Sequence, residues 1–360
     1  MKCINNKEII SPTYMMIRDI RRLKNSSTNK VFRICSNESP LGTNHRVIDT
    51  VIKNLGELHT YPDPDSFEIK NLVSKNLEVD EERIIFGNGS TELIEILTNH
   101  LFLNHGSAVI SQYTYPLYEM LVARCNGEVI KVPMTDWQYD LDGMMAAINN
   151  DTRAIFLANP NNPTGSWIAL NKLHDFLVKV PKHILVIVDE AYYDYMDGVP
   201  EYSSGIDLID KFANLVITRT FSKVYGLAGL RIGYAIAAPE IIKMIASRKQ
   251  SANVNIVAQY AAATAYMDDD YRSKVIMEVN KNRLMLENAL RSMNIDFIHT
   301  NTNFIMIKVK QASIDVYKKL LEYNIVIQPM EIYNLSGYIR VSIGNEEDTN
   351  KLISTLSYLV

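Results

Sequence analysis

Apolar residues along this chain fall into short continuous runs separated by amphipathic stretches. The runs at 84–86, 109–110, 155–158, 183–188, 215–217 and 232–237 have the length of strands. The run His183-Ile184-Leu185-Val186-Ile187-Val188 has no polar residue after its first, as a strand buried on both faces requires. Between the runs, 91–104, 116–125 and 170–178 carry apolar residues at helical spacing. This alternation predicts an α/β fold with a mainly parallel sheet flanked by helices.

Beyond residue 240 the texture changes. Helical patterns cover 256–266 and 271–293, the second with acidic and basic residues interleaved. A strand at 304–309, a helix at 316–322, a strand at 338–343 and a helix at 348–360 follow, which together read as a smaller α+β domain. Residues 1–40 read as irregular and as packing with that domain; they close on the turn signal Ser39-Pro40-Leu41-Gly42. Residues 25–29 (NSSTN) read as a flexible loop. The expected division is a large domain at 41–245 and a small one built from 1–40 and 246–360.

Composition narrows the function classes. A chain of 360 residues that is 47% hydrophobic and 22% charged is a globular protein, neither disordered nor a fibrous repeat. Lys and Arg total 37 against 41 for Asp and Glu, so neither nucleic acid nor an anionic membrane is the expected partner. No apolar run approaches the roughly 18–20 residues of a membrane helix. The N-terminal stretch is too polar for a secretory signal. Three cysteines, an odd number with no C-x-x-C pair, argue against a disulfide framework, so the expected address is the cytoplasm. The seven histidines are scattered, and no metal is expected.

Four segments carry candidate chemistry. Phe86-Gly87-Asn88-Gly89-Ser90-Thr91-Glu92 is a glycine-rich turn between a strand and a helix, where free N–H groups and the helix dipole favour a phosphate. An ordinary strand–helix turn with Ser90 or Thr91 as cap would look the same. Asn159-Pro160-Asn161-Asn162-Pro163-Thr164-Gly165 follows a strand, at the sheet edge where open α/β sheets bind ligands. Asp189-Glu190-Ala191-Tyr192 closes the 183–188 strand. An acid there needs a cationic or hydrogen-bonding partner, either a structural salt bridge or a protonated ring nitrogen of a cofactor. Lys223 lies in Ser222-Lys223-Val224-Tyr225-Gly226-Leu227-Ala228-Gly229-Leu230-Arg231, again after a strand. A lysine partly desolvated near other cations becomes a nucleophile toward carbonyls, whereas a lone surface lysine does nothing.

In this order the four segments resemble the fold-type I pyridoxal-phosphate enzymes of the class I/II aminotransferase group, most of all the histidinol-phosphate aminotransferase family. The resemblance runs from Asn37-Glu38-Ser39-Pro40 to Ser342-Ile343-Gly344. It implies pyridoxal 5'-phosphate as cofactor, with Lys223 condensing with its aldehyde and later carrying the Cα proton. It implies Asp189 at the pyridinium nitrogen, Asn162 and Tyr192 at the phenolic oxygen, and Tyr115 stacked on the ring. Ser90, Thr91, Ser222 and Arg231 match the phosphate cradle. Tyr61 matches a tyrosine that reaches the neighbouring subunit's cofactor, which implies a homodimer with shared sites. Arg340 matches the arginine that binds the substrate's anionic group, and Asn162 and Tyr14 are implied near the substrate.

The family usually carries a further arginine where this chain has Gln328, a loss worth about 1.5–3 kcal/mol to a bound dianion. Residues 249–255 also lack the proline and phenylalanine often found before Asn253-Val254-Asn255. The implied activity is transfer of an amino group, from glutamate, to a small phosphorylated or aromatic keto compound. The alternative is decarboxylation of an amino-acid phosphate on the same fold, because the bond held over the ring, rather than the fold, selects the reaction.

Overall fold

The computed structural model describes residues 12–26 and 30–359. Its contacts divide the chain into two compact units. The larger takes Glu38–Glu278 with Thr300–Thr302, and the smaller takes the described residues up to Asn37, Val279–His299 and those from Asn303 onward.

The described chain opens with α1 (Pro12–Ser26) and β1 (Phe32–Arg33). The larger unit then runs α2 (His45–Asn54), α3 (Phe67–Leu77), β2 (Ile84–Gly87), α4 (Ser90–Leu101), β3 (Ser107–Ser111), α5 (Leu117–Arg124), β4 (Glu128–Val132) and α6 (Leu141–Ala146). It continues through β5 (Thr152–Ala158), α7 (Leu170–Lys179), β6 (Leu185–Asp189), β7 (Leu215–Thr220), β8 (Gly233–Ala237), α8 (Pro239–Ala246) and α9 (Ile256–Tyr266). Helix α10 (Asp269–Ser292) starts in the larger unit and ends in the smaller. The smaller unit adds β9 (Phe297–Ile298), β10 (Phe304–Lys308), α11 (Ser313–Glu322), β11 (Ile325–Val326), β12 (Gln328–Pro329), β13 (Tyr338–Ser342) and α12 (Glu346–Leu359).

The larger unit is built on a seven-stranded sheet in the order β2-β8-β7-β6-β5-β3-β4. Strands β3 to β7 pair in parallel, and β8 runs antiparallel to both β7 and β2. Side chains alternate between faces, so each apolar run serves two cores. Ile155, Leu157, Val186, Val188 and Ile217 join one; Ala154, Phe156, Ile187, Val216 and Ala235 join the other. Each large member contributes on the order of 1.5–3 kcal/mol by leaving water. The register sets Asp189 opposite Ala158 on one side and Thr218 on the other, so β5, β6 and β7 end along one edge.

In the smaller unit β12, β13, β10 and β9 form a four-stranded antiparallel sheet, and β1 pairs in parallel with β11. Residues 1–40, expected to be irregular, contain α1. Met16 and Ile20 are buried one turn apart while Arg18, Arg21 and Arg22 face water, so a cationic surface masks a narrow apolar stripe. Tyr317 Oη donates to Asp19 Oδ2 at 2.8 Å and ties α1 to α11. Of the loop expected at 25–29, Asn25 and Ser26 finish α1, and 27–29 lie outside the described residues. Residues 246–278, grouped by sequence texture with the small domain, make their contacts in the larger unit. Ala258, Ala261, Ala262 and Ala265 give α9 a small-residue face that enters the same core as Val47 and Val73. Strand β4 gave no signal because it is an edge strand, mostly open to solvent. Among the described residues no helix is long and apolar enough to cross a membrane.

One buried ion pair pins β6 to β7. Glu190, 1% exposed, accepts from Arg219 Nε at 2.9 Å, from Ser204 Oγ and from the Gly205 N–H at 2.7 Å. The Arg219 guanidinium also lies 3.6 Å from the Tyr193 ring centroid. Removing one partner strands the other without water. Arg219→Met should lower the unfolding free energy by roughly 3–5 kcal/mol in urea titrations; a loss below about 1 kcal/mol, the scale of a surface pair, would contradict a buried role.

Candidate active site

The carboxyl edge of the large sheet collects most of the residues expected to carry chemistry. Asp189, the last residue of β6, is buried. Strand alternation turns it toward the core that holds Tyr118 and Phe156. Tyr118 Oη donates to Asp189 Oδ2 at 3.0 Å, while Thr218 Oγ1 and the Ala191 N–H donate to Oδ1, each at 3.2 Å. Burial pushes the Asp189 carboxyl above its ordinary pKa; those three donors and the Lys223 charge pull against the rise. Burial, and then the Asp189 charge, hold the Tyr118 phenol well above its ordinary value, so it stays a donor.

Lys223 follows β7 and is half-buried, with Nζ 5.3 Å from the ring centroid of buried Tyr192. Half-buried Tyr115 meets Tyr118 edge to face at 5.7 Å, and Tyr118 stacks on Phe156 at 5.1 Å. The ring stack fixes the phenol that holds Asp189.

The asparagine loop divides its work. Asn159 accepts from the Ile168 N–H at 2.8 Å and closes the loop on itself. Asn161 donates to the Tyr113 carbonyl and accepts from Thr114 Oγ1 and Tyr139 Oη, each bond 2.8–2.9 Å. Both serve the geometry of the loop that presents buried Asn162.

The glycine-rich turn enters α4 at Gly89, with φ +82° and no side-chain cap on the helix. A Cβ at Gly89 would lie 2.6 Å from Arg231 Nη2, and one at Gly233 would lie 2.4 Å from the Ser90 nitrogen. Glycine therefore lets the guanidinium and the sheet close on the start of the helix. Arg231 sits in the left-handed region at φ +57°, and its Nη1 donates to Ser222 Oγ at 3.3 Å. Ser90 is buried in the first helical position, with Thr91 next to it half-buried.

These residues fit pyridoxal phosphate by their chemistry. An uncapped helix start beside an arginine and a serine suits a phosphate. A buried carboxylate whose oxygens all accept suits a protonated ring nitrogen. The lysine is the amine an aldehyde needs.

Tyr61 is 95% exposed, and its side chain makes no hydrogen bond or ring contact to any described residue. In the smaller unit Arg340 and Gln328 are cross-strand partners on β13 and β12, both buried. Arg340 Nη2 donates to the Cys35 carbonyl at 2.9 Å, and Gln328 Nε2 donates to the Pro329 carbonyl at 2.8 Å. Tyr14 belongs to α1, but its side chain lies outside the described residues, as does all of Cys3. Sequence reasoning missed Tyr118 and Thr218. The signal for Thr218 was a hydroxyl inside an otherwise apolar run; Tyr118 was masked as one more aromatic on a helix. Among the described residues no group of three or more His, Cys, Asp or Glu could hold a metal.

A mainly parallel sheet with this cradle at its carboxyl edge defines the fold-type I class. The sequence profile of the family described as aminotransferase class I and II matches residues 29–356. A histidinol-phosphate aminotransferase from Caldicellulosiruptor saccharolyticus is 38% identical over 350 residues, spanning 96% of this chain and 97% of its own. Histidinol-phosphate aminotransferase 1 from Nitrosococcus oceani is 36% identical over 326 residues, or 90% and 87% of the two chains. The structure of histidinol-phosphate aminotransferase from Sinorhizobium meliloti, solved in complex with pyridoxal-5'-phosphate, superposes with a TM-score of 0.87 at 26% identity. It covers 96% of this chain and 97% of that one. The chain belongs to the aminotransferase class I and II family and is a pyridoxal 5'-phosphate-dependent transaminase.

The hold on Asp189 is open to test without cofactor. Tyr118→Phe should cost roughly 1.5–3 kcal/mol of stability near neutral pH, the range for a hydrogen bond to a charged group. The phenol favours the ionised carboxyl, so its contribution is present above the folded pKa of Asp189 and lost as pH falls through it. Urea titrations should show the gap to the parent narrowing from about pH 7 toward the ordinary carboxyl range near ~4. A gap independent of pH would contradict the assignment.

Proposed function

We propose that this enzyme is a histidinol-phosphate aminotransferase-like transaminase that takes its amino group from glutamate and delivers it to a small phosphorylated or aromatic keto compound. One observation carries the reading. A buried carboxylate saturated with donors, a half-buried lysine and an arginine beside an uncapped helix all occur at one sheet edge.

Pyridoxal phosphate supplies an aldehyde that captures the amino group and a ring that draws electron density from Cα. The protein's residues do the rest. Asp189 holds a proton on the ring nitrogen, which keeps the ring electron-poor. Asn162 and Tyr192 hydrogen-bond the phenolic oxygen, and Tyr115 lies against the ring face. Ser90, Thr91, Ser222 and Arg231 anchor the phosphate. Lys223 would hold the cofactor and would move the proton at the substrate's Cα. Arg340 takes the substrate's anion, with Asn162 and Tyr14 beside the substrate. Gln328, uncharged and paired in register with Arg340, leaves that strand pair one fixed cation and favours an acceptor with a single anionic contact there.

The reading extends to a cytoplasmic homodimer with Tyr61 serving the partner's site. Its support is the run of exposed apolar side chains from α2 to the start of α3, Ile48, Ile52, Leu55, Leu58 and Phe67, in the stretch that carries Tyr61. Decarboxylation is not favoured: the curated relatives are aminotransferases, and L-threonine-O-3-phosphate decarboxylase from Porphyromonas gingivalis, at 22% identity, shares the fold alone.

The test is a half-reaction. Glutamate should bleach the visible band of the holoenzyme, and a panel of keto acceptors, phosphorylated and aromatic, should contain one that restores it. Lys223→Ala should remove the band and at least about 10⁴-fold of turnover while the protein stays folded. Normal turnover by that variant, or release of carbon dioxide in place of bleaching, would contradict the proposal.

A further inference from the structure

Residues 247–255 join α8 to α9, and none of the expected chemistry falls on Lys249 to Asn255 or on Gln259 in the first turn of α9. Their side chains nevertheless touch each of three segments around the phosphate cradle. Lys249 is half-buried, and its Nζ donates to the Pro64 carbonyl at 3.1 Å and to the Phe86 carbonyl at 3.4 Å. The first carbonyl belongs to the loop that carries Tyr61; the second lies in β2, one residue before its end at Gly87, where the glycine-rich turn begins. Asn253 Nδ2 donates to Glu92 Oε2, the oxygen that also accepts from the Asn88 N–H. Asn255, the cap of α9, donates to the Leu230 carbonyl at 3.0 Å, next to Arg231. Gln259 Nε2 holds the Asp63 carbonyl at 2.9 Å.

The strap is itself fixed. Val254 is 1% exposed and anchors it in the core, and Ala252 is held at φ +53°, a conformation an alanine keeps only when its surroundings impose it. Of its contacts, only that of Lys249 bridges two segments at once. Burial lowers the pKa of Lys249, with Lys70 adding to the effect, while Asp65, Glu92 and Asp63 oppose it. An amine half out of water, bonded to main-chain carbonyls rather than to a carboxylate, has no evident role in charge balance.

We propose that Lys249 is a positioning residue for the cofactor's phosphate: it fixes the Tyr61 loop against the turn that starts α4 and so sets the spacing of the cradle. The inference rests on the reading that Ser90, Thr91, Ser222 and Arg231 bind that phosphate. Lys249 acts through the Phe86 and Pro64 carbonyls and touches neither cofactor nor substrate.

The test uses apo protein titrated with pyridoxal phosphate and, separately, with pyridoxal, which lacks the phosphate. Lys249→Met should weaken pyridoxal phosphate binding about tenfold and leave pyridoxal within about twofold, with Lys249→Arg recovering most of the loss. A general loss of structure would weaken both ligands alike, which overturns the proposal, as does parent-like affinity for pyridoxal phosphate. Should Lys249→Met not fold, Lys249→Gln, which keeps a donor without the charge, is read the same way. Arg231→Ala separates the two layers. If it weakens pyridoxal phosphate while Lys249→Met does not, the inference about Lys249 fails alone. If Arg231→Ala leaves pyridoxal phosphate binding intact, the cradle reading fails and this inference with it.

Discussion

The site depends on a carboxylate kept ionisable inside a hydrophobic sheet. Asp189 occupies a position where alternation along β6 demands an apolar side chain, on the face whose core holds Phe156 and Tyr118. Unpaired, such a group would take up a proton or destabilise the fold. It is tolerated because the register of β6 with β7 brings Thr218 alongside, the turn after the strand presents the Ala191 N–H, and α5 delivers the Tyr118 hydroxyl. All three donors favour the charged form. Together with the Lys223 charge, these neutral groups work against the rise in pKa that burial imposes on Asp189.

The next residue shows the opposite solution. Glu190 points to the other face and is neutralised within the fold by Arg219. Two adjacent acids with similar burial therefore have different partners, an arginine for Glu190 and neutral donors for Asp189. The asparagine loop repeats the pattern. Asn159 and Asn161 spend their amides on loop geometry, and Asn162 stands on the scaffold they make. The strap at 249–259 extends it outward, with side chains that brace carbonyls around the cradle and leave the cradle's own groups to the ligand.

Much of this was legible in the sequence. The buried strands announced themselves as unbroken apolar runs, α9 matched its predicted span of 256–266, and Lys223, Asp189, Ser90 and Arg231 lie in segments whose order along the chain is distinctive. What escaped depends on distance in space. Tyr118 looks like any helical aromatic until the sheet brings Asp189 under it. Gln328 and Arg340 are 12 residues apart, yet are register partners only once β12 and β13 pair. Helix α1 hid behind its arginines, and the membership of α9 in the larger unit follows from alanine faces that carry almost no periodic signal. The bracing role of Lys249 had no sequence signature, because its partners are main-chain carbonyls, which every residue possesses.

The proposed site requires the amine at position 223 and the carboxylate at 189 to face one bound cofactor. Borohydride reduction of the holoenzyme, followed by proteolysis and mass mapping, tests it most directly. The expected product is a single peptide bearing a reduced pyridoxyl adduct, with the modification on Lys223. An adduct on another lysine, or a coloured protein that yields no adduct after reduction, would contradict it.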